Sequence, residues 1–471
     1  MTPSYQNACT SPELLRDFIT WQVHGEAGIC KAFCKIHHYF NKKFSKLDME
    51  IISKEIIKPS SPTPNHLKTL NLSMLDQLTF QNYIPLLILY KSELTRSSIY
   101  VLKKSLSETL KMYYPFAGRL RKDSVTVDCG DQGVVFVEAK MSGCTLSDFL
   151  QNPNLERQKL LFAEGFLWKG SCIGEPFVAV QVTSFEGGGM AVGFTISHKV
   201  ADGCTYGTFL SDWAAMARGE MRPEPIILAK LIPSPDLKLN VPEIVMNQSR
   251  NCVTKRFAFG SKKIAELKNS VAGFVENPTS VEVVTAHLYM CVNVASMAKT
   301  GSFRKSTWMQ LVNMRPRMTK PLPYNCIGNF SWYFTISNNG SQTSLSNLVL
   351  EMKNGIKGLC NGGNNVELSN WLMGIKKSTG NAKELFDDVD VYRCSSMVRS
   401  PFHDIDFGWG SPVWVTLADA TMKNTFVLFD MPDGDGIEAV VSIEEDTMRL
   451  FQSVYNKDTR EHEDRKFMSH L

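Results

Sequence analysis

The sequence predicts a mixed α/β protein of two domains, and three observations carry that prediction. Residues 177–185 (FVAVQVTSF) and 190–197 (MAVGFTIS) are apolar and rich in β-branched side chains, the signature of paired strands. Phe209, Leu210, Trp213, Ala214 and Ala217 then recur at the spacing of one helix face. A chain of 471 residues also exceeds what one hydrophobic core usually serves.

Taken in order, Pro59-Ser60-Ser61-Pro62-Thr63-Pro64 reads as an extended segment leading into Leu72-Ser73-Met74-Leu75-Asp76. Glu186-Gly187-Gly188-Gly189 is expected to be the hairpin turn between the two strands. Thr205 is a candidate cap for the helix that follows, which should end at Arg218-Gly219-Glu220. Pro223, Pro225, Pro233, Pro235 and Pro242 then make residues 221–250 an exposed crossover, because proline at that density prevents helix and central strand. Beyond it, residues 255–259 (KRFAF) read as a strand and 262–268 (KKIAELK) as a helix with Ser261 as its cap. Strand and helix signals alternate from there to the C-terminus.

Composition narrows the function. Lys plus Arg number 51 and Asp plus Glu 47, an excess too small to argue for nucleic acid. Hydrophobic residues at 43% and charged residues at 21% are ordinary for a globular protein. No uninterrupted apolar run approaches the roughly 18–20 residues that cross a bilayer, and the first thirty residues carry Glu13, Asp17, His24 and Glu26 instead of an apolar leader. Twelve cysteines in so long a chain suggest reduced thiols, hence a cytoplasmic protein. Cys30, Cys34, His37 and His38 have zinc-ligand chemistry, but they crowd together without the second pair of a split structural site, so no metal is expected. No Gly-x-Ser-x-Gly elbow supports a serine hydrolase.

The chemistry-bearing stretch is His198-Lys199-Val200-Ala201-Asp202-Gly203, which lies where the second strand hands over to the helix. A histidine at a strand end is held rigidly yet can face a cavity, and its titration near neutrality suits it to take a proton from an alcohol. A lone His-x-x-x-Asp is more often an ordinary surface or core pair. A second element, Asp406-Phe407-Gly408-Trp409-Gly410, changes that balance: two glycines around a tryptophan suggest a tight loop with an aromatic anchor.

Together these two elements resemble the signatures of the BAHD acyltransferases, plant enzymes that move an acyl group from coenzyme A to an alcohol or amine. Tyr114 to Leu120 (YPFAGRL), Gly133 to Val137 (GVVFV), Phe209-Leu210 with Trp213-Ala214, and Gly434 to Ala439 (GDGIEA) resemble further family blocks in family order. The resemblance runs from about Met49 to about Gln452. Residues 1–48 match nothing in it and are expected to be dispensable. It implies two chloramphenicol-acetyltransferase-like domains, with mixed sheets flanked by helices and a channel between them: 49–220 carrying the histidine motif and 251–471 carrying the tryptophan loop.

The resemblance further implies a general base at His198, with both substrates meeting in the channel and no acyl-enzyme. It makes Asp202 a structural residue whose carboxylate forms an ion pair away from the site, and Gly203 a position for close packing or a positive φ angle. It makes Asp406 the anchor of a structural loop, paired with an arginine for which Arg315 is the candidate. Lys262 and Lys263, Thr285 at a strand–helix junction, and Ser395 with Ser396 are the positions matching coenzyme A contacts. Relatives often carry a tryptophan where this chain has Met397, and methionine offers no hydrogen-bond donor to an oxyanion.

The function expected on this resemblance is O-acylation of a plant metabolite, closest to the family's indole-alkaloid acetyltransferases, by a monomer. Acetyl-CoA would be a co-substrate rather than a resident cofactor, and neither nucleic acid nor membrane would be a partner. Acylation of a phenylpropanoid, terpenoid or volatile alcohol, or a catalytically silent binding protein on the same fold, are the alternatives.

Overall fold

The computed structural model describes residues 48–151, 153, 155–232, 251–339, 343–363, 365–378, 389–418 and 423–468. Residues 1–47, with Cys30, Cys34, His37 and His38, and residues 233–250 of the expected crossover lie outside the described residues. The principal strands, in chain order, are β1 (Asp48–Ile57), β2 (Tyr83–Tyr90), β3 (Val134–Ser142), β4 (Val178–Phe185), β5 (Met190–Ser197), β6 (Cys252–Gly260), β7 (Lys305–Asn313), β8 (Ser331–Asn339), β9 (Asp390–Ser396), β10 (Trp414–Leu417), β11 (Thr425–Asp430) and β12 (Gly436–Glu444). The principal helices are α1 (Arg96–Met112), α2 (Gly203–Ala217), α3 (Ser261–Val271), α4 (Ser280–Thr300), α5 (Leu345–Leu359) and α6 (Glu445–Met468).

Two mixed six-stranded sheets organise the chain. The first runs β1-β3-β4-β5-β2-β10 and the second β6-β12-β11-β9-β7-β8. The expected hairpin is present: β4 and β5 pair antiparallel from Val178↔Ile196 to Ser184↔Met190. Gly187, Gly188 and Gly189 turn the chain between them with φ of 74°, 103° and 87°, angles that side chains rarely tolerate. Residues 414–417 belong to the second half of the sequence, yet β10 pairs antiparallel with β2 and so completes the first sheet.

Helix α2 buries the face that its spacing predicts. Phe209, Leu210 and Trp213 are fully buried against Leu102, Leu106 and Leu110 of α1. The Trp213 indole donates to the Leu102 carbonyl at 3.2 Å and the Ser105 hydroxyl at 3.1 Å. Gly203 and Gly207 each cost a helix about 1 kcal/mol, but burying Phe209 and Leu210 contributes roughly 1.5–3 kcal/mol apiece. Packing therefore decides the helix, and propensity does not.

Around α4 the second unit builds its own core. Thr279 and Glu282 form a capping box at its start, and Gly301 ends it with a φ of 78°. The helix is apolar and long enough to cross a bilayer, but Val284, Leu288, Tyr289 and Val292 are buried within the protein. Alternation along the second sheet then separates its two faces. Phe426, Leu428, Ala439 and Val441 join the core beneath the helices, whereas Val427, Phe429 and Val440 pack with the core of the first unit. The second sheet thus turns one face towards the first unit, which is where a shared site can form.

Three local expectations need correction. The cap of α2 is Asp202 rather than Thr205, because the Asp202 carboxylate accepts the Thr205 N–H at 3.0 Å. Helix α3 starts one residue early, with Ser261 inside it and Gly260 at the cap without a side-chain bond. The described part of the crossover is not wholly exposed: Ile226–Ile227 pairs in parallel with Cys326–Ile327, and Leu228 and Ile232 are buried.

Candidate active site

His198 is the first residue beyond β5, and its backbone is pinned there. Its N–H donates to the Asn82 carbonyl at 2.8 Å, just before β2, while Ser197 N–H donates to the Phe177 carbonyl at 2.9 Å. The chain then makes a turn through residues 198–200 before α2 begins. His198 Nδ1 lies 3.1 Å from Asn329 Oδ1. The Asn329 amide nitrogen donates to Asp76 Oδ1 and to the His198 carbonyl, both at 2.9 Å. That leaves the amide oxygen for the ring, so Nδ1 carries the proton and Nε2 is the nitrogen free to accept one. Burial disfavours the imidazolium and lowers the pKa of His198, against the opposing pull of the Asn329 bond and of Asp202 and Asp76. The neutral, proton-accepting form is therefore the resting form at physiological pH.

Asp76 and Asn329 were not singled out in the sequence. Asp76 is buried and accepts from the Ser73 hydroxyl at 2.6 Å and from the Asn329 backbone N–H at 2.8 Å. The Ser-x-x-Asp spacing of a capping box was visible at Ser73–Asp76, but it announces a helix start and says nothing about a histidine 122 residues further on. Lys199, also buried, donates to the carbonyls of Gln77 at 2.9 Å and Thr79 at 3.2 Å, which ties the histidine turn to the same segment.

Asp202 is held in a buried ion pair. Arg315 Nη1 donates to its Oδ2 at 2.7 Å and Nη2 to its Oδ1 at 3.1 Å, with Arg315 0% and Asp202 4% exposed. Phe330 N–H at 2.9 Å and the Ser331 hydroxyl at 3.3 Å also donate to Oδ2. Burial alone would raise the Asp202 pKa, but the Arg315 guanidinium and these donors outweigh it and hold the carboxyl low. Thr205 completes the cluster, donating to the carbonyls of Cys326 at 2.8 Å and Gly328 at 2.7 Å. The structural reading of Asp202 fits this geometry. The pairing of Arg315 with Asp406 does not, since Arg315 belongs to Asp202.

The Asp406 carboxylate instead closes its own loop, accepting the N–H groups of Gly408 at 2.7 Å, Trp409 at 3.0 Å and Gly410 at 2.8 Å. Gly408 and Gly410 have φ of 108° and 100°, which explains glycine on both sides of the tryptophan. Partial burial pushes the Asp406 pKa up, but the three N–H groups and nearby Arg218 bring it below the usual range. The loop is riveted to the first unit: Tyr90 OH donates to the Ile405 carbonyl at 2.7 Å, Ser92 to the Trp409 carbonyl at 2.8 Å, and Arg218 to the Asp406 carbonyl. Trp409 stacks on Phe407 with ring centroids 5.5 Å apart, and Phe407 meets Trp213 edge-on at 4.8 Å.

The five residues matched to coenzyme A contacts do not converge. Lys262 is exposed in the first turn of α3. Lys263 sets its ammonium over the Tyr455 ring, 4.3 Å from the centroid, and near Phe259 at 5.7 Å. Thr285 is not at a strand–helix junction: it lies inside α4, 1% exposed, against the Cys394 thiol. Ser395 and Ser396 end β9, opposite Val427 and Leu428 respectively, so the two hydroxyls face opposite sides of the sheet. Only Ser395 shares the face turned towards the first unit. Among the described residues, no group of His, Cys, Asp and Glu is arranged to hold a metal ion.

Comparison with known proteins agrees with this architecture. The family model described as Transferase family matches residues 47–458. Akuammiline synthase 1 from Alstonia scholaris is 41% identical over 418 residues, covering 86% of this chain and 96% of that protein. Deacetylvindoline O-acetyltransferase from Catharanthus roseus is 36% identical over 438 residues, with 86% and 96% covered. The crystal structure of vinorine synthase superposes with a TM-score of 0.74 at 32% identity, covering 86% of this chain and 96% of that one. With an accepting histidine nitrogen at a strand end, an inward-facing second sheet and a family match across most of its length, the chain belongs to the BAHD branch of the Transferase family, the acyl-CoA-dependent acyltransferases.

Proposed function

We propose that this enzyme transfers an acetyl group from acetyl-CoA to a hydroxyl of an indole-alkaloid acceptor. The observation that carries the reading is the fixed orientation of His198, whose Nδ1–H is held by Asn329 so that Nε2 is the nitrogen left to act as a base. The relative named deacetylvindoline O-acetyltransferase supports an acetyl group transferred to an oxygen. In the reaction, Nε2 accepts the acceptor's hydroxyl proton as its oxygen attacks the thioester carbonyl. The tetrahedral oxyanion collapses, the C–S bond breaks, and the departing thiolate takes the proton back from His198. Atoms and protons balance without an acyl-enzyme. Asp202 and Asp406 act by holding the histidine turn and the loop in place.

For coenzyme A we retain Lys262 for phosphate charge and Ser395 and Ser396 along the pantetheine arm. Lys263 is engaged by Tyr455, and Thr285 is enclosed by α4 and β9. We also read the protein as a cytoplasmic monomer. Unbridged thiols at Cys129, Cys144, Cys172, Cys326, Cys360 and Cys394 support a reducing compartment. The test is a panel of acyl-CoA donors and alcohol acceptors read by mass spectrometry. Mass gain of an acetyl group on alkaloid alcohols by the native enzyme, lost in His198→Ala, is the expected result. Transfer that survives in a folded His198→Ala protein would remove the base from the mechanism.

A further inference from the structure

Resting on the acyl-transfer reading, we propose that Asn82 is a positioning residue for the base: its carboxamide oxygen takes a hydrogen bond from His198 Nε2–H while the ring carries the acceptor's proton. The backbone brings the two residues together. Tyr83 pairs with Ser197 at the end of the antiparallel β2–β5 ladder, and the next step of that register sets Asn82 opposite His198. The 2.8 Å bond from the His198 N–H to the Asn82 carbonyl is that step. Alternation agrees. Ile84, Leu86 and Ile88 of β2 share one core with Val192, Phe194 and Ile196 of β5, whereas Leu87, Leu89 and Ala191 turn to another. Asn82 and His198 continue the first of these faces, and residues directly opposite on one face have Cβ atoms about 4.5–5.5 Å apart.

Asn82 is 8% exposed, and its Oδ1 is enclosed with no hydrogen-bond partner among the described residues. Burying an acceptor without a donor is unfavourable, so a donor is due from somewhere. Resting His198 does not supply it. Asn329 takes the Nδ1–H, and bare Nε2 is an acceptor like Oδ1, so the two do not bond. Once Nε2 has taken the proton of the alcohol it becomes a donor, and the mismatch disappears. The carboxylates acting on the ring are Asp202, at the head of α2, and Asp76, before β2. Both are engaged in either state, by Arg315 and by Ser73 with Asn329. Lys199, on the same turn, is held by the carbonyls of Gln77 and Thr79. Asn82 is the neutral neighbour whose bonding changes when the proton arrives.

The test is a histidine-selective NMR titration of the free enzyme, with the His198 signal assigned by its loss in His198→Ala. Asn82→Leu and Asn82→Ala both delete the oxygen, but leucine fills the space and alanine opens it to water. Both should lower the His198 midpoint by about 1 pH unit, the scale of one hydrogen bond to a charged group. Were burial alone in control, alanine would raise the midpoint. An unchanged or raised value in Asn82→Ala therefore overturns the proposal. Melting temperature should hold or rise, since the group removed is an unpartnered polar one. A variant that does not fold is read through the other, and failure of both to fold would overturn the proposal by assigning the carboxamide to the fold. In acetyl transfer, the acid limb of kcat/KM should move down with the midpoint. Turnover above it should fall roughly 3–10-fold, with the KM for acetyl-CoA unchanged. If the wild type acylated no alcohol, the functional reading would fail, and the titration would still decide the Asn82 contact.

Discussion

Removing the Asp202 carboxylate is expected to damage the fold before it touches the chemistry. Asp202→Ala deletes the acceptor of two Arg315 bonds, two backbone N–H groups and the Ser331 hydroxyl. It leaves a fully buried guanidinium without its counter-charge, a change that typically costs about 3–5 kcal/mol, and it removes a helix cap worth about 1 kcal/mol. Because the same two oxygens serve both roles, the costs overlap, and about 4 kcal/mol is the working figure. Against a usual stability of roughly 5–15 kcal/mol, that predicts a fall in melting temperature on the order of 10 °C and a lower soluble yield.

Thermal and urea unfolding measure the loss, with turnover expressed per folded molecule. Asp202→Ala combined with Arg315→Met should recover part of it, since neither charge is then left alone. The pH dependence has a definite sign. A carboxyl whose folded pKa is depressed contributes stability above its ordinary value near 4 and loses it as pH falls through the folded pKa. Wild type should therefore shed stability in acid that Asp202→Ala has already lost. An Asp202→Asn protein that melts like wild type yet does not turn over would refute the reasoning and place Asp202 in the chemistry.

His198→Ala should lower turnover by at least about 10²-fold in a folded protein, the usual worth of a positioned base. Because burial lowers the His198 pKa, the acid limb of the wild-type rate profile should fall below the ordinary histidine range, with rate declining as pH drops through it and flat near neutrality. Asp406→Ala frees three loop N–H groups and should lower melting temperature together with activity, and circular dichroism melts would register the first. Lys262→Met should raise the KM for acetyl-CoA roughly 2–5-fold without changing the melt, as expected for one exposed charge contact. Lys263→Met should do the reverse, removing about 0.5–1 kcal/mol of cation–π stabilisation on Tyr455 while leaving KM near wild type.

Local pattern made the hairpin, the buried face of α2 and the histidine turn legible, because each is written in residues a few positions apart. What could not be read is long-range choice. The resemblance matched Arg315 to Asp406, and only the fold shows that the turn at Asp202, 113 residues away, receives it. The Asn329–Asp76 contact spans 253 positions, and no periodicity marks it. Threonine often caps a helix, but at Thr205 the aspartate three residues earlier reaches its N–H first and frees the hydroxyl to join two carbonyls. Thr285 illustrates the opposite failure: a position transferred by resemblance lies inside a helix that the local sequence shows to be continuous and apolar.

The pairing of β10 with β2 has a consequence for how the protein is made. Leu86, Leu87, Ile88 and Leu89 are buried in the finished protein, and their outer backbone partners are residues 414–417. On the ribosome, Ser197 emerges long before Leu417. At about 5–20 residues per second, the nascent first half waits roughly 10–45 s with one strand edge unpaired, which offers itself to any other extended chain. The two halves should therefore not be separable by truncation. A fragment ending before residue 401 should aggregate or need a chaperone, and supplying the missing strand in trans as a peptide should rescue it.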